Sequence, residues 1–207
     1  MSKVRLFTDL GDTNSSGGSS TVMRINQARA QTDTVSAIFA LSSAAPEIDI
    51  TNLAVTITPN AVDSIITLDL SLCGQWYNLY SPPNAMVSIK RAISDGTTEV
   101  IRNANSGSGS AHQGLQPFSD VSGRGGVDTV ISTETSMDTC YIHFSDNLGL
   151  QTLTSSSTVT YTPVLSAQGF PSSFYLNRTV GLTGTGMHTG ETGVSSFHAV
   201  DDVLSSS

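Results

Sequence analysis

Ser64-Ile65-Ile66-Thr67-Leu68-Asp69-Leu70-Ser71-Leu72 sets Ile66, Leu68, Leu70 and Leu72 on one side of an extended chain. Ile65, Thr67, Asp69 and Ser71 fall on the other. A period of two with one apolar side marks a strand that has a core beneath it and water above it. Upstream, Leu53 to Ile57 reads as a second strand, parted from the first by the polar break Thr58-Pro59-Asn60-Ala61-Val62-Asp63-Ser64. Pro59 cannot donate to a sheet ladder, so it belongs in the break. Downstream, the stretch ends in the aromatic cluster Trp76-Tyr77-Asn78-Leu79-Tyr80.

The same reading extends along the chain. Strands are expected over Val35 to Leu41, Ala85 to Ile93, Glu99 to Arg102, Val127 to Ser132, Cys140 to Phe144, Thr158 to Leu165, Ser173 to Asn177 and Ser195 to Val203. Gly, Asn, Asp and Pro punctuate them, and two long polar loops, Ala104 to Gly126 and Gly181 to Gly193, interrupt them. This pattern predicts an all-β protein, a jelly-roll-like antiparallel β-sandwich. The first residues read differently. Gly11 to Ser20 is a Gly/Ser-rich run, and Val22 to Ala30 has loosely helical spacing. The expected organisation is an extended N-terminal arm over residues 1–34 and a sandwich domain over 35–207, divided near Asp33.

Composition agrees with an all-β chain. Only 13% of the 207 residues are charged, Ser and Thr exceed a quarter of them, and lysine is nearly absent. Hydroxyl groups then cover the surface where charges do elsewhere. The net charge of −8 disfavours nucleic acid, whose phosphates call for clustered Lys and Arg. The charge is uneven: residues 1–32 carry four basic residues against two acidic, and the remainder five against fifteen. Lys3, Arg5, Phe7, Arg24 and Arg29 are the candidate anchoring residues of an arm that docks on an acidic partner, with a solvated tail of scattered charges as the competing reading. No apolar run is long enough to span a membrane, and the N-terminus lacks the apolar stretch of a secretory signal. Cys73 and Cys140 read as buried free thiols.

Catalytic signatures are missing. His112, His143, His188 and His198 have no metal-site spacing, and His143 reads as a core or subunit-contact residue. Glu47, Glu99, Glu134 and Glu191 are too scattered to suggest the paired carboxylates of a glycosidase. Asp201-Asp202 reads as a solvated acidic edge. No enzyme activity, catalytic residue, metal or cofactor is expected. Trp76, Tyr77, Tyr80, His112 and His188 are the candidates for binding or subunit contact, with burial of the aromatic cluster at the end of the sandwich as the competing reading.

A second ordered set of elements follows the first: Phe144-Ser145-Asp146-Asn147, then Val159-Thr160-Tyr161-Thr162-Pro163-Val164, then Phe174-Tyr175-Leu176-Asn177-Arg178-Thr179, and last Ser195-Ser196-Phe197. Together with Ile57-Thr58-Pro59 and Ser64-Ile65-Ile66, this set resembles a domain of tailed-phage virion structural proteins, marine and cyanobacterial phages above all. Tyr175-x-Asn177-Arg178-Thr179 is its most specific part. The chain departs from the pattern after Phe144, where a proline is often found, and at Asp201-Asp202. The resemblance implies a jelly-roll-like sandwich, often trimeric, displayed on the virion and made in the host cytoplasm. It implies contact with capsid or tail proteins through the N-terminal segment. Capsid decoration or a short head fibre is the leading expectation. A tail-fibre tip that meets a host surface glycan is the alternative, and a glycan-cleaving enzyme is third. Asn177 and Arg178 are expected to fix a structural corner.

Overall fold

The computed structural model describes residues 23–34, 37–78, 84–102, 114–118, 137–168, 172–178 and 192–204. Its strands are β1 (Met23–Thr32), β2 (Ile38–Leu41), β3 (Glu47–Asp49), β4 (Val55–Ile57), β5 (Ile65–Asn78) and β6 (Asn84–Ile93), followed by β7 (Thr98–Ile101), β8 (Gln116–Pro117), β9 (Asp138–Asn147), β10 (Val159–Gln168), β11 (Ser172–Leu176) and β12 (Ser195–Leu204). Short 3-10 turns at Thr51–Leu53 and Leu148–Leu150 are the only helical pieces among the described residues.

Every strand pairing is antiparallel. One sheet runs β1-β12-β5-β9. The other places β3 and β4 end to end on one edge of β10, then β6, then β7 and β8 on the far edge of β6. With the end-to-end strands counted as one, the principal strands among the described residues number eight. Their order is 1-8-3-6 in one sheet and 2-7-4-5 in the other. The adjacent pairs 1–8, 2–7, 3–6 and 4–5 are those of a single long hairpin rolled over a core, which is a jelly roll. β2 and β11 are an addition to this plan. β5 is long enough to hold β12 along Ile66–Ser71 and β11 along Gly74–Asn78 on one edge, with β9 on the other.

Alternation decides which residues fill the space between the sheets. Ile66, Leu68, Leu70 and Leu72 of β5 are buried as their spacing predicts, joined by Phe197 and Ala199 of β12 and Cys140 and Ile142 of β9. Val87, Ile89 and Ile93 of β6, with Val159, Tyr161 and Leu165 of β10, face them. Burying one such aliphatic side chain is worth about 1.5–3 kcal/mol as an upper bound. β10 is buried on its outer side as well, at Thr162, Val164 and Ser166. Lys90 of β6 reaches across it to Asp49 of β3, and Arg102 reaches Glu47 of the same strand. The aliphatic stems of these bridges roof the small residues beneath. Pro163 falls where β4 has ended and β3 has not yet begun, so its missing donor leaves no gap in the ladder.

Two expectations are corrected by the structure. Val22 to Ala30 has helical spacing in sequence, yet Met23–Thr32 is a strand paired with β12 over its whole length. Ala28, Ala30 and Thr32 turn inward and are small enough to lie close to the opposing layer. The boundary near Asp33 therefore falls within the sandwich, and any arm is confined to residues before Met23. β3 was not foreseen, because Glu47 and Asp49 do not look like strand residues until their cationic partners are placed. The strand expected at Val127 to Ser132 lies outside the described residues, as do most of the two long loops.

Candidate functional site

The outer side of β5 carries short polar side chains at Thr67, Asp69 and Ser71, and beside them Tyr141 and His143 of β9 and His198 of β12 are longer. Register sets two rows across three strands: Ser196–Ser71–Tyr141, and His198–Asp69–His143. The short groups of β5, between Tyr141 and His143 on one side and His198 on the other, leave a shallow depression of about 240 Å³ bordered by β9 and β12. Tyr141 is 69% exposed on one wall. His143 Nδ1 lies 2.6 Å from Asp69 Oδ1, which fixes the imidazole upright and leaves Nε2 toward solvent. Arg29 continues the second row beyond His198 and donates to Gln31 Oε1 at 2.9 Å. Desolvation, and then the charge of Arg29, hold His198 below the usual imidazole value against the opposing pull of Asp69. His198 is thus neutral at pH 7.

Charged groups inside the sandwich have another role. Arg91 of β6 donates to Asp146 of β9 at 2.6 Å and to Glu99 of β7 at 2.7 Å, and the Tyr161 hydroxyl donates to Asp146 at 2.8 Å. This network joins the two sheets. Burial, and then the charge of Asp146 and its hydrogen bond, push the Tyr161 hydroxyl far above its ordinary range. Asp201 is fully buried and accepts from Asn60 N at 2.6 Å and Ser64 Oγ at 2.9 Å, so it ties the Pro59–Ser64 break to β12. The solvated acidic edge read from the sequence is therefore wrong for Asp201. No cluster among the described residues could hold a metal ion.

The other residues singled out in the sequence fall in several places. Trp76 is 1% exposed and packs on Phe174 and Phe118, with ring centroids 5.2 and 6.5 Å away. It is a plug in the core, so its candidacy for binding or subunit contact is withdrawn. Tyr77 belongs to β5; Tyr80, His112 and His188 lie outside the described residues. Lys3, Arg5 and Phe7 also lie outside them, while Arg24 and Arg29 belong to β1.

Asn177 has φ of +58°, which asparagine tolerates better than most residues. Its amide donates to Thr32 O at 2.9 Å and its Oδ1 accepts from Ser195 Oγ at 2.6 Å, while Ser195 Oγ accepts from Cys73 N at 2.9 Å. One side chain thus links the ends of β1, β11 and β12 to β5. The Arg178 guanidinium stacks over the Tyr175 ring at 4.8 Å. Cys73 and Cys140 are both free thiols, and burial pushes Cys140 up to about 12.

His143 does not lie in the core, which corrects one of the two readings made of it from the sequence. It is solvent-facing, and the alternation of Cys140, Ile142 and Phe144 against Tyr141, His143 and Ser145 was the signal that could have placed it there. No family profile and no curated protein matches the chain. Among solved structures it is similar to one described as the structure of infectious bursal disease virus Gx strain. The TM-score is 0.27 and the identity 12%, over 95% of this chain and 41% of that one.

Proposed function

We propose that this chain is a non-enzymatic structural protein displayed on a bacteriophage virion, a capsid decoration or short head fibre. In this reading it is held by its N-terminal residues and assembled as a homotrimer. A jelly roll hosts many functions, so the fold by itself decides little. The observation that carries the reading is a coincidence of two patterns. Two parts of the set that resembles tailed-phage virion proteins, the break before β5 and Asn177, close corners of the jelly roll. Pro59 to Ser64 is pinned by Asp201, and Asn177 bonds to Thr32 and Ser195. Anchoring then falls to the segment that includes Lys3, Arg5 and Phe7. Three arms that engage together would multiply a weak individual contact.

Counting and locating the protein in the intact particle tests this, by cryo-electron microscopy with quantitative mass spectrometry. Copies spread over the head lattice, with their N-terminal segments on the shell protein, are the expected result. Absence from the particle overturns the proposal. A few copies at the tail would instead support a receptor-binding tip, the reading favoured by the exposed Tyr141 beside a shallow depression.

A further inference from the structure

We infer that the depression on the outer face of β5, β9 and β12 binds a single neutral sugar ring, with Tyr141 as the stacking platform and Asp69, Ser71, Ser196 and His143 as the hydroxyl partners. A pyranose has an apolar C–H face and a rim of hydroxyls, each both donor and acceptor. The depression offers the counterpart of both. The Tyr141 ring stands 69% exposed at one wall, although an aromatic ring on a water-facing strand ordinarily loses by such exposure. Across the floor and the far wall lie two hydroxyls, Ser71 and Ser196, each able to donate and accept. Asp69 uses Oδ1 on His143, which leaves Oδ2 as an acceptor, and His143 keeps Nε2 for the same rim.

Size and charge narrow the ligand. Rows two residues apart on a strand are separated by about 6.5–7 Å, which suits one ring. The depression, at about 240 Å³, is smaller than the roughly 300–1,000 Å³ of sites that enclose drug-sized molecules. A carboxylate on the floor and a chain charge of −8 oppose a phosphate, sulfate or sialic acid. An ammonium ligand could take Asp69 Oδ2 but would leave the Ser71 and Ser196 hydroxyls without a use. A neutral hexose or N-acetylhexosamine meets neither obstacle. The preformed Asp69–His143 pair also holds its polar atoms in place before binding, which lowers the entropy lost on association.

This inference does not rest on where the protein sits in a particle, since the sugar titration is made on the free chain. The particle count and the sugar titration therefore fail independently. The experiment is a ¹⁵N-NMR titration of the full chain with glucose, galactose, mannose, N-acetylglucosamine and N-acetylgalactosamine, with sialic acid and choline as charged probes. Shifts confined to residues 69–71, 141–143 and 196–198 with at least one neutral sugar are expected. Tyr141→Ala should weaken that binding by about fivefold, the loss of one stacking contact, with an otherwise unchanged spectrum. Ser71→Ala provides a second reading of the floor and should weaken binding without touching the aromatic wall. No saturable shift with any neutral sugar, shifts at another face, equal binding by Tyr141→Ala, or a response only to sialic acid or choline would each overturn the inference.

Discussion

Asn177 shows how much a single side chain can hold. Replacing it by alanine leaves a residue with a full Cβ at φ +58° and removes the partners of Thr32 O and Ser195 Oγ. Left-handed strain costs about 1–2 kcal/mol and each buried group left unpaired about 1–3 kcal/mol. Asn177→Ala should therefore lose at least about 2 kcal/mol in urea unfolding. Asn177→Gly relieves the strain but not the lost bonds, and should fall between alanine and the native residue. Asp146 belongs to the same scale. Asp146→Ala leaves Arg91 with only the half-exposed Glu99 and strips the Tyr161 hydroxyl of its acceptor. Breaking a buried pair from one side costs about 3–5 kcal/mol, and Asp146→Asn should cost less because its carbonyl still accepts from Tyr161. Equal urea midpoints for the two Asp146 variants would show that the Tyr161 bond contributes nothing. Neither Asp146 nor Asp201 could be recognised as buried in the sequence, because only the tertiary partners Arg91, Tyr161, Asn60 and Ser64 make burial tolerable.

At the scale of elements, β5 is where sequence and structure agree best. Its four inward aliphatics read directly from a period of two, because a half-buried strand leaves that mark on its own residues. β1 is the opposite case: its inward residues are Ala28, Ala30 and Thr32, too small to stand out against their neighbours. β3 is hidden for another reason, since its stability comes from bridges to Lys90 and Arg102 on other strands. The depression was illegible as well, because Asp69, His143 and His198 become neighbours only through register. Two predictions concern elements. Gly74 lies where β5 meets β11, and a Cβ there would collide with the Phe174 ring and the Tyr175 carbonyl. Gly74→Ala should cost about 1–3 kcal/mol, the usual range for overpacking, with the loss read in the thermal midpoint. A chain that begins at Met23 should unfold as cooperatively as the full chain. One that begins at Asp33 lacks the partner of β12, and its urea transition should broaden or vanish.

For the molecule as a whole, pH acts through His198. Its folded value lies below the ordinary imidazole value of 6.5, so the unfolded chain takes up this proton first as pH falls. The stability it contributes is complete above pH 6.5 and is lost as the pH falls toward the folded value. His198→Gln should therefore flatten the part of the decline that sets in as the pH falls through 6.5, measured as the urea midpoint at each pH. An unchanged slope would assign that decline to the carboxylates. The overall plan was readable from the number and punctuation of strands. Strand order was not, since pairings such as Met23 with Leu204 join the most distant described parts of the chain.

That order has a consequence for the chain while it is being made. β12 is the last described strand, yet it lies in the interior of its sheet, between β1 and β5. At roughly 5–20 residues per second, translation reaches β12 on the order of ten seconds after it has finished β5. Throughout that interval the edge that β12 will occupy stays open, beside the four inward aliphatics of β5. The nascent chain is thus more prone to aggregate before β12 emerges, and less so once residues 195–204 slide into the slot kept for them.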